Sequence, residues 1–204
     1  GGRMTDVRLA DDRLLPKELI PAASLSFGGL RNQYRRDGLG AELVAVTAKR
    51  VVSKGSDEIP WSETPFPAIT AVARFPGESL EQVLSTYQVE VIGYDPYRQD
   101  SVDMAGVQAP LAANFTSGYG LWLARSGFAR QSLLTLVGRG EVLERPHVYL
   151  LQPFDPDRRI VVMLHGLASS PEAWINVANE VLGDEELRRN YQIWQVYYPT
   201  NLPL

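Results

Sequence analysis

Cysteine is absent from the chain, which excludes a disulfide scaffold, a thiol nucleophile and a cysteine zinc site, and leaves the redox compartment open. No apolar run reaches membrane-spanning length, and no signal peptide with a hydrophobic centre is visible. A basic surplus is missing as well: 20 Lys and Arg stand against 24 Asp and Glu, a net charge of -4 that argues against a nucleic-acid partner. Arg31, Arg35 and Arg36 come closest to a basic cluster, but Asp37 and Glu42 beside them read as a solvated surface. Histidine is scarce, with only His147 and His165. No serine has glycine at both positions two residues away, so the Gly-x-Ser-x-Gly nucleophile elbow is missing. Repeats and low-complexity tracts are absent.

What is present is most informative near residue 160. Residues 160–164 (Ile-Val-Val-Met-Leu) form an apolar run too short for an ordinary helix and without alternation, which predicts a strand buried on both faces in a parallel sheet. Asp155, Pro156, Asp157 and Arg158 supply a turn before it, and His165-Gly166-Leu167 stops it. Beyond lies a helix signal. Ser170 precedes Pro171, Ser169 and Glu172 have capping-box spacing, and Ala173, Trp174, Val177, Ala178, Val181 and Leu182 form one apolar stripe. Gly183 stands where a C-terminal cap belongs. A second short helix is predicted over residues 184–189, acidic first and basic last. Residues 191–198 are β-branched and aromatic, and Pro199 ends that strand. The order is strand, His-Gly turn, helix, strand: a parallel βαβ unit.

This constellation resembles the third strand, oxyanion loop, first helix and fourth strand of an α/β-hydrolase, in its bacterial lipase and esterase-like branch. The resemblance is carried by Asp155-Pro156-Asp157, by Val161 through Leu167, by Ser169-Ser170-Pro171, by Trp174 and by Tyr198-Pro199-Thr200, and it covers roughly residues 147–204. It implies an α/β fold with the start of an α/β-hydrolase sheet, preceded by a β-rich accessory domain. The implied division is 1–146 for the accessory part, sandwich-like with short helices, and 147–204 for the N-terminal part of the hydrolase domain. The implied activity is carboxylic ester hydrolysis through a serine nucleophile, with no cofactor and no metal. Backbone N–H groups in such a loop stabilise the charge that builds on the carbonyl oxygen. The residue after His-Gly carries one of them, so the oxyanion donor is the amide of Leu167, Gly166 permits close approach, and His165 supports the loop without being the catalytic base.

The family order of serine, acid and histidine places every triad member after Leu204. The expectation is therefore a chain inactive alone, completed by a companion polypeptide or a C-terminal fragment whose strand covers the otherwise unpaired edge at residues 160–164. Ester or lipid is the implied substrate. Exported or lipid-anchored relatives suggest the bacterial cell envelope. The competing expectation is a non-enzymatic binding module on the same scaffold, holding a protein or lipid partner.

Before residue 147 the signals are weaker. Leu9, Leu14, Leu15, Leu19 and Ile20 suggest a short amphipathic segment broken by Pro16, and residues 26–40 a loop with a helical turn at 31–36. Residues 42–52, 68–75 and 86–94 read as strands, with Tyr87, Val89 and Val91 alternating against Gln88 and Glu90. Three prolines in residues 60–67 suggest an irregular loop packed over the sheet as a lid. Residues 101–104, 109–115, 132–137 and 147–151 read as further strands, and residues around Leu121 to Leu123 as a helix. Asp95, Asp100 and Asp103 lack EF-hand spacing and read as turn carboxylates, and Gly38-Leu39-Gly40 and Gly138-Arg139-Gly140 lack the rest of any phosphate-binding fingerprint.

Overall fold

Two five-stranded sheets hold most of the strands in the computed structural model, which describes residues 7–9, 16–47, 51–52, 61–125, 146–166 and 171–198. In chain order the elements begin with β1 (Val7–Leu9), β2 (Glu18–Pro21), β3 (Arg35–Arg36), β4 (Ala41–Val46), β5 (Val51–Val52), β6 (Trp61–Glu63) and β7 (Ala68–Arg74). Helix α1 (Leu80–Ser85) leads to β8 (Glu90–Tyr94), β9 (Ser101–Met104), β10 (Val107–Pro110), β11 (Ala113–Asn114) and helix α2 (Ser117–Arg125). The last part holds β12 (His147–Leu150), β13 (Arg159–Leu164), α3 (Ile175–Gly183), α4 (Glu185–Asn190) and β14 (Tyr191–Tyr197).

The first sheet has the order β1-β8-β7-β4-β2, antiparallel except for the parallel β1–β8 pair. The second has the order β13-β14-β12-β6-β5. Within it β13 runs parallel to β14, with Val162 opposite Trp194, whereas β12 is antiparallel to β14 and parallel to β6. One connection explains the parallel pair. A 3-10 turn at Pro171–Trp174 opens into α3, α4 follows at once, and β14 returns beside β13. Asp184 caps α4 by accepting from the Leu187 amide at 2.8 Å, with Glu185 and Glu186 in its first turn and Arg188 and Arg189 in its last.

The core does not respect a division at residue 146. Val44, Phe66, Tyr119, Leu121 and Trp122 pack in one cluster with Leu151, Met163, Ala178, Leu182 and Ile193. Strands β5 and β6 lie before residue 146 yet complete the second sheet, so the expected sandwich-like grouping of residues 1–146 is not closed on itself.

Local expectations differ from the structure at several places. The expected lid at residues 60–67 contains β6, paired with β12 through Val148 and Trp61, and Phe66 is buried in the core. Prolines flank the paired residues here and leave their amides free for the ladder. Residues 31–36 form no helical turn; Arg35 and Arg36 pair with Asn114 and Ala113 instead. The N-terminal leucines belong to extended segments, Leu9 in β1 and Leu19 and Ile20 in β2. Tyr87 is 99% exposed, because α1 occupies residues 80–85 and the strand begins only at Glu90. Gly183 is the last residue of α3 and not a left-handed cap. Its side-chain space is filled by the Tyr34 ring, into which a Cβ would project. The expected strand at 132–137, the Gly138-Arg139-Gly140 segment and the caps Ser169 and Ser170 lie outside the described residues.

Candidate functional site

The site expected from sequence lies where β13 ends. A parallel strand whose neighbour is also parallel delivers the following loop at the carboxyl end of both strands, where open α/β sheets place ligands. His165 follows Leu164 directly and is only 4% exposed, so its imidazole belongs to the structure. The ring stacks on Tyr198, with centroids 4.4 Å apart and planes at 14°, and lies 6.2 Å from Tyr197. The Tyr198 hydroxyl donates to the His165 carbonyl oxygen. Tyr198 also donates its backbone N–H to His165 Nε2 at 3.5 Å, and His165 Nδ1 lies 3.4 Å from the Gly166 carbonyl. Both ring nitrogens face backbone groups, the Gly166 carbonyl and the Tyr198 amide.

A second clamp holds the strand end. Trp174 donates its indole N–H to the Leu164 carbonyl at 2.9 Å, tying the turn before α3 to the last residue of β13. Gly166 stands just beyond the two clamps. Its backbone is not left-handed, and a Cβ built on it meets nothing within 4 Å, so neither conformation nor packing demands glycine. What glycine leaves here is unfilled space in front of the chain. Leu167, the expected oxyanion donor, lies outside the described residues. Trp174 and Tyr198 were visible in the sequence as parts of a helix and a strand end, but their work on the loop depends on contacts 10 and 33 residues away.

The other histidine makes a contact that the sequence did not announce. His147 Nε2 lies 2.9 Å from Ser62 Oγ across the β12–β6 pair. A serine beside a histidine is the beginning of a nucleophile and base. Ser62 is 2% exposed, however, and a nucleophile closed to substrate cannot attack one. The pair is a cross-strand hydrogen bond. Asp95 accepts from the Tyr97 amide, Asp103 from the Gly106 amide, and Asp100 pairs with Arg189, so the three carboxylates serve separate contacts.

The sheet edge completes the picture. Strand β13 has β14 on one side and no paired strand on the other among the described residues. Ile160, Val162 and Leu164 point to one face and are 44%, 53% and 55% exposed, while Met163 on the opposite face is buried against α3 and the core. On the exposed side of the sheet, Trp61, Val148, Leu150, Phe154 and Trp194 line an apolar cavity of about 390 Å³. No helix among the described residues is long and apolar enough to cross a membrane. Comparison with protein-family models, with curated protein sequences and with solved structures finds no match to this chain.

Proposed function

We propose that residues 147–204 are the first part of a serine ester hydrolase and that the loop after β13 is its oxyanion loop. The observation that carries the reading is the doubly clamped end of β13. The His165 carbonyl and ring are held by Tyr198, the Leu164 carbonyl by Trp174, and the chain then passes Gly166 with empty space before it. Rigid backbone amides beside open space are what a developing oxyanion requires, each donor contributing about 3–4 kcal/mol to the barrier. In the reaction, a serine hydroxyl adds to the ester carbonyl, the alcohol leaves with a proton, and water then releases the acid. The Leu167 amide donates to the carbonyl oxygen as it gains charge.

The edge of β13 supports the same reading. In the hydrolase sheet this strand has the fourth strand on one side and the fifth on the other, and here β14 occupies one side while no strand pairs with the other among the described residues. The nucleophile, acid and base then belong to the polypeptide that pairs with that edge. A fluorophosphonate probe tests the assignment on the complete natural protein. Labelling of one serine outside these residues, lost on prior heating, supports it, and absence of labelling in every active preparation removes it.

A binding module is the second reading, and the 390 Å³ cavity favours an apolar or lipid occupant for it. Binding of a fluorescent fatty acid without turnover of any ester, and without fluorophosphonate labelling, selects that reading.

A further inference from the structure

The amino ends of β13 and β14 carry a second concavity, far from His165 and of opposite character. Its volume is about 320 Å³, at the small end of ligand sites. Its walls come from four separate places: β3, the turn after β8, the turn before β13, and α4. Five arginines line it, Arg36, Arg98, Arg158, Arg188 and Arg189, against three carboxylates, Asp100, Asp155 and Asp157. In a chain of net charge -4 this is a local cationic surplus.

Several of these charges are already paired. Arg189 binds Asp100 and Glu185, each at 2.7 Å, and Arg158 lies 3.5 Å from Asp155. Arg36 and Arg188 differ. Both guanidiniums lie over the Phe115 ring, 5.5 and 3.4 Å from its centroid, and neither forms an ion pair with a carboxylate among the described residues. Arg188 is only 5% exposed, and both of its hydrogen bonds leave from Nη1, to the Leu182 and Gly183 carbonyls at 3.0 and 2.8 Å. Nε and Nη2 are left without a protein acceptor. Arg36 spends Nε on the Leu111 carbonyl at 2.7 Å and Nη2 on the Gln99 carbonyl at 3.4 Å, leaving Nη1.

Capping α3 accounts for one edge of Arg188 and bracing the 99–111 segment for one edge of Arg36. It does not account for two guanidiniums over one ring, Arg188 buried and Arg36 half-buried, each with an N–H edge unspent; cations drawn out of water cost free energy that an anion offsets. Burial lowers the proton affinity of both guanidiniums; Asp100 and Glu185 partly offset this at Arg36, and Tyr97 and Glu185 at Arg188, while neighbouring arginines lower it further. Arginine remains charged regardless, so relief comes from a counter-charge.

We propose that this pocket binds a small phosphate-bearing ligand, inorganic phosphate or a phosphate monoester, held by the unspent edges of Arg36 and Arg188 with Arg189 at the rim. A planar guanidinium offers paired N–H donors that match the oxygens of a tetrahedral dianion, and two such forks already fixed by backbone carbonyls lose little freedom on binding. The volume excludes a large dinucleotide. The site is independent of the hydrolase reading, since it lies at the opposite ends of the strands and uses none of the same residues.

Isothermal titration of the 204-residue chain at low ionic strength, with inorganic phosphate and separately with glycerol phosphate, tests the proposal. The expected result is one site per chain with millimolar or tighter affinity, weakened about tenfold in Arg36→Gln and about threefold in Arg189→Ala. Arg189 is exposed, so its variant stays folded even if Arg36→Gln does not, and Arg74→Ala on β7 serves as the unaffected control. Saturation by phosphate but not by glycerol phosphate identifies the free ion, and saturation by both identifies a monoester site. The proposal is overturned if neither saturates, if citrate binds where phosphate does not, or if Arg189→Ala binds as Arg74→Ala does.

Discussion

Tyr198 holds His165 three ways: its ring lies flat on the imidazole, its hydroxyl donates to the His165 carbonyl, and its amide faces Nε2. One residue at the end of β14 thereby fixes the loop that leaves β13. Tyr198→Phe keeps the stacking and removes only the hydroxyl, so it isolates the hydrogen bond. The expected loss is about 1 kcal/mol in urea unfolding, since the carbonyl can turn to solvent. In the complete protein the same change is expected to lower kcat about tenfold with KM nearly constant, because loop position counts in the transition state. An unchanged kcat separates a purely structural clamp from an oxyanion loop.

Two glycines make a paired test. Gly166→Ala introduces a methyl group into empty space, so unfolding is expected to shift by less than about 0.5 kcal/mol, while ester turnover in the complete protein falls as the methyl narrows the approach. Gly183→Ala gains about 1 kcal/mol of helix propensity but drives a Cβ into the Tyr34 ring, an overpacking that costs about 1–3 kcal/mol. The ring cannot step aside freely, because Glu180 and Asn32 hold its hydroxyl. A net loss of stability on urea unfolding is the expected outcome, and a gain would mean that Gly183 is only a helix terminator.

That second glycine shows where sequence reading reaches and where it stops. The strands β13 and β14 and the helix α4 were legible because they are written locally: an apolar run, a β-branched and aromatic run, and a stretch acidic first and basic last. Gly183 carries the same local signature as a cap, yet its reason is Tyr34, far away in the chain. Strand β6 was hidden among prolines because its pairing comes from His147–Leu150, which no window around Trp61 contains. Tyr87 and Val89 alternate as a strand would, but no partner strand reaches them among the described residues, and Tyr87 stays exposed. The clamps on His165 were hidden in the same way. Arg36 and Arg188 come from two distant segments and the Phe115 ring between them in sequence from a third, so no local window brings the charges together.

The uncovered face of β13 predicts association. Val162 is 53% exposed beside a strand edge that is unpaired among the described residues, and such edges template further pairing. Light scattering of the 204-residue chain is expected to show concentration-dependent growth that Val162→Lys suppresses, with unfolding changed by less than about 0.5 kcal/mol. In the complete protein the same lysine is expected to be strongly destabilising, because the covering strand and helices would bury its charge. Equal tolerance in both settings would argue that nothing covers this face.

Glu180 and Tyr34 give the stability of α3 a pH window. The Tyr34 hydroxyl donates to Glu180 and Asn32 Nδ2 donates to it at 2.9 Å; both contacts favour the carboxylate and hold its pKa below the ordinary 4.5. A depressed folded-state value means stability that is present above pH 4.5 and lost as pH falls through the folded value. The same contact raises Tyr34 above its ordinary 10.0, chiefly through the hydrogen bond to Glu180. A raised value means stability present below pH 10.0 and lost as pH rises through the folded value. Tyr34→Phe removes the hydroxyl behind both effects. The difference in urea midpoint between the parent and Tyr34→Phe is therefore expected to be largest near pH 7 and to shrink toward both extremes. The contact is exposed, so the difference is small and falls further with added salt. A midpoint difference that stays constant from about pH 3 to pH 11 would assign the Tyr34 effect to ring packing against Gly183 and not to its bond with Glu180.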